Sequence, residues 1–397
     1  MDEMFKSGQL DELKSIYEKA FVFKNSFAVS PITLPSNMSL FTGLYPLHHK
    51  IFDYTDTQLL DEKIETLPLI FKKKGFMTTA FFNLINNHLG GREDFRKGFD
   101  HIEDVIYVPS RTQKLMDLIK KNEGKNQFFY LHNDRTHDPY LITRTMTESC
   151  LKLSNRKGVD LRREVFTKAF GPVNYLSLRK KVEAYWSLFD LTKPQEVEEL
   201  KLYYRCNIIE IVRTMNVLIK AIEDNQLADK TLLLFTSDHG EAFGENGNFR
   251  HTGLNVQELS VPMIYLLPNK LRGESDEWTS HIDILPTLMG LLGWEVPKNI
   301  DGINLSPVIL GQQKLPKRLL YSEFFNAKAV LDYPRKMILK SSQVMWFYEL
   351  DKDPKEQSPK YYIESPAAEE LRKTLIKWRD GQFVIPSIQS FKDSGNL

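Results

Sequence analysis

The stretch TLLLFTSDHGE, Thr231 to Glu241, runs four apolar residues straight into Ser-Asp-His-Gly. An unbroken apolar run that stops at a polar turn is the profile of a strand buried on both faces, as strands of parallel sheets are. In open α/β sheets ligands gather at the C-terminal ends of such strands. NQFFYLHNDRTHDPY, Asn126 to Tyr140, repeats the profile, apolar first and ionisable afterwards. VPMIYLLP, Val261 to Pro268, and GFMTTAFFN, Gly75 to Asn83, predict two more buried parallel strands.

Helical periodicity fills the intervals. Ile208, Ile211, Val212, Met215, Leu218, Ile219 and Ile222 form one apolar stripe just ahead of the Thr231 strand. Leu10, Leu13, Ile16 and Tyr17 form a shorter one. HIDILPTLMGLL, His281 to Leu292, reads as a helix closed by Gly293, with Pro286 beginning or kinking it. Strand and helix alternation predicts an α/β sandwich, a mostly parallel central sheet flanked by helices. Residues 141–200 break the alternation and predict a helical insertion, a lid near the site mouth. After Gly311 the pattern changes to short strands (RLLYSEFF, KAVLDY, KMILK, VMWFYEL) and a last helix. The expected division is a catalytic domain over 1–311 and a small α+β subdomain over 312–397.

Composition narrows the function. A net charge of +1, with 42% hydrophobic and 26% charged residues, gives no footprint for nucleic acid or a membrane surface. No run approaches the length of a membrane span. Cys150 and Cys206 are too few for a disulfide framework and lie in no CxxC pattern. The opening MDEMFKSGQLDELK is acidic and amphipathic, unlike a secretory signal, so the expectation for the chain as written is cytoplasmic.

Three clusters carry chemistry. Asp238-His239-Gly240 offers a hard oxygen, a nitrogen and a residue that permits a sharp turn, which is metal-site chemistry. His251 follows after a glycine-rich loop, while Glu241 and Glu245 read as residues that order it. His137-Asp138-Pro139-Tyr140 is the second cluster. Asp134 reads as a solvated carboxylate and His132 as a packed side chain. The third is SPITLPSNMSLFTGLYP, Ser30 to Pro46, where a helix follows from Ser36. A hydroxyl at its N-terminus feels the positive end of the helix dipole, which favours an alkoxide or a bound anion. The plainer alternative makes Thr33 or Ser36 an N-cap.

Together these stretches resemble the sulfatase family of the alkaline-phosphatase superfamily. Phe23-Lys24-Asn25-Ser26-Phe27 stands where the family has Phe-x-Asn-Ala, and Thr33-Leu34-Pro35-Ser36-Asn37 where it has Cys/Ser-x-Pro-Ser-Arg. Leu40 to Pro46, Gly98 to Asp100, Ser237 to Glu241, Val261-Pro262, Asp283 to Leu288, Asp301-Gly302 and Tyr348 to Glu356 follow in family order. The resemblance implies an alkaline-phosphatase-like fold and hydrolysis or transfer of a sulfate or phosphate ester, small or linked to a glycan or lipid. It implies a divalent cation (Ca, Mn, Zn or Mg) on Asp238, His239 and Thr33, with Thr33 as nucleophile and His137 and His251 assisting. Two departures accompany it. Thr33 cannot become formylglycine, which moves the expectation toward phosphoryl-transferring relatives, and Asn37 replaces an arginine. The family's first strand, which ends in an Asp ligand, would fall ahead of this chain's start, with Leu10 to Lys19 as its first helix. A catalytically impaired copy, or a ligand-binding protein of the same fold, is the rival expectation.

Overall fold

A computed structural model describes residues 11–54, 58–82, 92–104, 108–140, 178–340, 344–360 and 365–380. The first nine strands are β1 (Phe21–Phe27), β2 (Met77–Phe82), β3 (His101–Asp104), β4 (Gln127–Leu131), β5 (Leu233–Thr236), β6 (Ala242–Phe243), β7 (Phe249–Arg250), β8 (Met263–Leu266) and β9 (Gly273–Ser280). They form a sheet of order β3-β2-β4, a second of order β5-β8-β1-β9, and the small β6-β7 hairpin. β2 pairs in parallel with β3 and β4, and β1 with β9. The exception is the Val261 segment: β8 is antiparallel to both β1 and β5. Its apolar run correctly signals burial on both faces, but burial does not specify direction.

Helices cover both faces. On one, Leu34, Met38 and Phe41 of the helix Thr33–Thr42 pack with Ile284, Leu285 and Met289 of the helix Ile284–Leu291 onto Phe23, Met263 and Tyr265. On the other, Leu13 and Ile16 of the helix Asp11–Tyr17 and Ile208, Val212 and Ile219 of the helix Pro194–Asp224 cover Val22 and Ile264. Each such side chain contributes about 1.5–3 kcal/mol of hydrophobic stabilisation when fully buried. The long helix begins at Pro194, so the expected boundary of the insertion at 200 falls inside it. Leu178–Trp186 is a separate helix, and 141–177 lies outside the described residues. Buried Cys206, on the long helix, is disulfide-bonded. Among the described residues no helix is long and apolar enough to cross a membrane.

Pro286 sits in the first turn of its helix, where an N–H would have no helical partner, and neither starts nor kinks it. β10 (Leu320–Phe324), β11 (Ala327–Asp332), β12 (Arg335–Lys340) and β13 (Val344–Glu349) make an antiparallel meander. The helix Pro366–Arg379 covers it, Trp378 stacking on Tyr321 with centroids 4.1 Å apart. Backbone continuity ties this sheet to the rest, since Glu323 N–H donates to the Val29 carbonyl at 2.8 Å. The sheet thereby lies against the loop between β1 and the Thr33 helix.

Candidate active site

The helix carrying Thr33 starts one turn earlier than its sequence indicates. Ile32 is the N-cap and Thr33 the first helical residue, so neither Thr33 nor Ser36 serves as a cap. All ten residues of this helix are buried, and it ends on Gly43, whose φ of 69° suits glycine. Thr33 Oγ1 lies 3.3 Å from His239 Nε2. His239 Nδ1 stands 2.9 Å from the Gly240 carbonyl, which can only accept, so Nδ1 carries the proton and Nε2 presents its lone pair to Thr33. Burial keeps the His239 pKa below the ordinary histidine value against the pull of Asp238.

Asp238 Oδ2 is 3.6 Å from His239 Nε2 and 3.9 Å from His132 Nε2. Burial opposes its ionisation, yet His239, His132 and a hydrogen bond from Thr33 hold its pKa down, to about 2. His132 is packed, its ring stacked on Tyr130 with centroids 6.3 Å apart, and from there its Nε2 also faces Asp238. Tyr54, which nothing in its sequence surroundings marks, is hydrogen-bonded to Thr33, and burial raises its pKa. Asn37 occupies the position of the family arginine. It donates to the Thr33 carbonyl at 2.8 Å and accepts from Tyr130 at 2.7 Å, bracing the turn rather than offering charge.

The Asp238 turn is held from below. Ser36 Oγ donates to the Asp238 carbonyl at 2.5 Å and meets His281 Nδ1 at 2.9 Å, while His281 Nε2 donates to the Ser237 carbonyl at 2.9 Å. Asp283, a family landmark, is structural: it accepts from Ser280 and Ile303 N–H and pairs with Arg318.

His251 and His137 converge on the same place, with ring centroids 5.1 Å apart and that of His251 4.6 Å from His239. His251 Nδ1 is 3.2 Å from Glu241 Oε1. Burial lowers the His251 pKa to about 4 and raises that of Glu241 to about 8. His137 differs. Although burial disfavours its charge, Asp138 Oδ1 at 2.9 Å raises its pKa to about 9. Asp138 is itself held well below the usual carboxylate range, because His137, Arg250 at 2.7 Å and Trp186 at 2.6 Å outweigh its burial. At neutral pH the cluster therefore presents one cationic imidazole beside neutral ones. The expected cation finds less: among the described residues no three His, Cys, Asp or Glu side chains could together hold a metal ion. Asp238 and His239 are a pair, with Thr33 as a neutral third neighbour, and by themselves they do not fit a divalent cation.

A helix-borne hydroxyl at the C-terminal edge of a mostly parallel sheet, beside an Asp-His turn and a charged histidine, stands in an alkaline-phosphatase-like fold. A model of the family Sulfatase matches residues 2–294, and the chain belongs to that family. Arylsulfatase K of Xenopus laevis is 24% identical over 338 residues, covering 72% of this chain and 59% of the relative. This chain thus spans about 60% of the arylsulfatase K sequences it matches, 59% in Xenopus laevis and 61% in Gallus gallus. Choline-sulfatase of Rhizobium meliloti is 22% identical over 440 residues, 95% of this chain and 83% of that protein. The fold of phosphonate monoester hydrolase of Agrobacterium radiobacter superposes with a TM-score of 0.72 at 17% identity, over 94% of this chain and 91% of that one. An enzyme solved with its substrate D-glucosamine-2-N,6-O-disulfate gives 0.69 at 17% identity, over 94% and 92%.

Proposed function

We propose that this protein hydrolyses, or transfers, a sulfate or phosphate ester through a covalent intermediate on Thr33. The observation that carries the reading is the 3.3 Å approach of Thr33 Oγ1 to the unprotonated Nε2 of His239. Nε2 takes the hydroxyl proton as Oγ1 attacks sulfur or phosphorus in line, and the bond to the ester oxygen breaks. Asp238 stabilises the imidazolium so formed. The His137 cation faces the non-bridging oxygens, where negative charge concentrates. The departing ester oxygen takes up the imidazolium proton. Water then gives a proton to the freed Nε2 as it attacks the same sulfur or phosphorus, and Nε2 returns that proton to Oγ1 as Thr33 is released. Sulfated glucosamine, choline sulfate and phosphonate monoesters, drawn from the relatives' names, belong in the substrate panel beside aryl phosphate monoesters, diesters and sulfates, each assayed with Ca²⁺, Mn²⁺, Zn²⁺ and Mg²⁺.

The test is Thr33→Ala. Turnover is expected to vanish while the protein still folds cooperatively, since loss of the hydroxyl bonded to Asp238 and Tyr54 costs about 1–3 kcal/mol. Thr33→Ser keeps the attacking oxygen and is expected to retain activity. Wild-type turnover by Thr33→Ala would overturn the covalent route. The incomplete cation site favours a second reading, a ligand-binding protein of this fold. Its mark is unchanged ligand affinity in Thr33→Ala together with no turnover by the wild type.

A further inference from the structure

A cavity of ≈ 1280 Å³ is lined by none of Thr33, Asp238, His239 and His251. Two helices supply its walls. Lys201, Tyr204, Arg205 and Ile208 stand at i, i+3, i+4 and i+7 of the helix Pro194–Asp224, so they share one face of it. Lys14 and Tyr17, three residues apart on the helix Asp11–Tyr17, add a second such pair. These helices cover Val22 of β1 but leave Lys24, two residues further along, exposed and lining the cavity. Arg272, just ahead of β9, and the turn Gly240-Glu241 join the lining.

Six lysines and arginines line this cavity against four glutamates. Lys24 pairs with Glu274 at 3.1 Å and Lys201 with Glu245 at 3.5 Å, while Glu241 is engaged by His251. Among the described residues the side chains of Lys14, Arg205 and Arg272 have no ion-pair or hydrogen-bond partner, and Glu18 is the single acid of the lining in that position. Arg205 is half-buried as well. A guanidinium drawn out of water without a counter-charge is costly, and its planar fork matches the oxygens of phosphate and sulfate. Tyr17 and Tyr204 set flat faces beside the cations. We propose that this cavity is an anion site, separate from Thr33, for a small ring compound carrying two or more phosphate or sulfate groups. Arg205 holds one group in a fork, Lys14 and Arg272 meet the others, and a tyrosine face meets the ring. None of the chemistry assigned to Thr33 enters this inference, so either can fail without the other.

The test is calorimetric titration at low salt of the wild type and of Thr33→Ala, the second so that turnover does not intrude. The probes are inositol hexakisphosphate and a trisulfated disaccharide. At least one is expected to bind, and the tighter of the two tells a phosphate ligand from a sulfate one. Arg205→Gln is expected to weaken that binding roughly 10–100-fold, the loss of one charge-assisted contact. Its urea midpoint is expected to stay at the wild-type value, because Arg205 has no partner in the protein to lose. His137→Gln, which removes the cation beside Thr33, is expected to leave the affinity unchanged. Equal affinity in Arg205→Gln overturns the proposal. So does a loss confined to His137→Gln, which puts the anion beside Thr33, and so does failure of both compounds to bind at millimolar concentration.

Discussion

Replacing Gly240 by alanine tests how the Asp238-His239 turn is held. The Gly240 N–H donates to the Glu258 carbonyl at 2.7 Å, and a Cβ built there would stand 2.1 Å from the Gln257 carbonyl oxygen and 3.1 Å from its carbon. The φ of Gly240 lies outside the left-handed region, so the cost is steric alone. The opposing backbone cannot retreat. Gln257 sits in the short helix Val256–Leu259, fixed by a capping box between Asn255 and Glu258. Glu356 accepts from Asn255 at 2.8 Å and from Val256 N–H at 3.1 Å, and is itself held by Lys336 at 2.7 Å. Overpacking costs about 1–3 kcal/mol, and lengthening the Gly240 hydrogen bond adds about 0.5–1.5 kcal/mol. Gly240→Ala is therefore expected to lose roughly 2–4 kcal/mol, read as a lower urea midpoint at unchanged slope. Turnover on the best ester should fall with it, because relief of the clash displaces His239 from Thr33. A midpoint within about 0.5 kcal/mol of wild type, with full activity, would refute this account of the turn.

Ester binding is expected to weaken as pH rises through about 9, where His137 loses its charge. Since its folded pKa exceeds the ordinary 6.5, its contribution to stability is present in full below that value and is lost as pH passes about 9. Asp138→Asn should move the loss of binding to lower pH in a KM-against-pH profile. Lys336→Met leaves Glu356 buried without its cation and should cost about 3–5 kcal/mol in denaturant unfolding, part of which Glu356→Gln should restore in the double variant. Phosphate esters, diesters above all, should outpace sulfate esters in steady-state turnover. A threonine ester has no aldehyde hydrate through which to eliminate sulfate, so water must attack the central atom directly.

The buried strands and amphipathic helices were legible because their signals are local. Leu232 to Phe235 and Phe128 to Leu131 are apolar runs too short for helices, and the Ile208 to Ile222 stripe has helical period. β1 and β9 were not read as strands. FVFKNSF is interrupted by Lys24 and Asn25, and GESDEWTS is largely polar, so each is extended because the other pairs with it. The proximity of Thr33, Asp238 and His239 was anticipated from motif order. Tyr54 and the Arg250 and Trp186 contacts to Asp138 were missed, the last two because they join residues 112 and 48 positions apart.

What the sequence determined by itself was the kind of elements present, their order, and which residue types stand at strand ends. Those follow from side-chain pattern over a few residues. The tertiary structure decided the rest: that β8 runs antiparallel, that Thr33 opens its helix instead of capping it, and that His132 faces the site. Each depends on where the chain returns after tens or hundreds of residues. Strand direction, charge state and edge exposure are properties of neighbours in space, and a run of apolar residues has the same pattern whichever neighbour it meets.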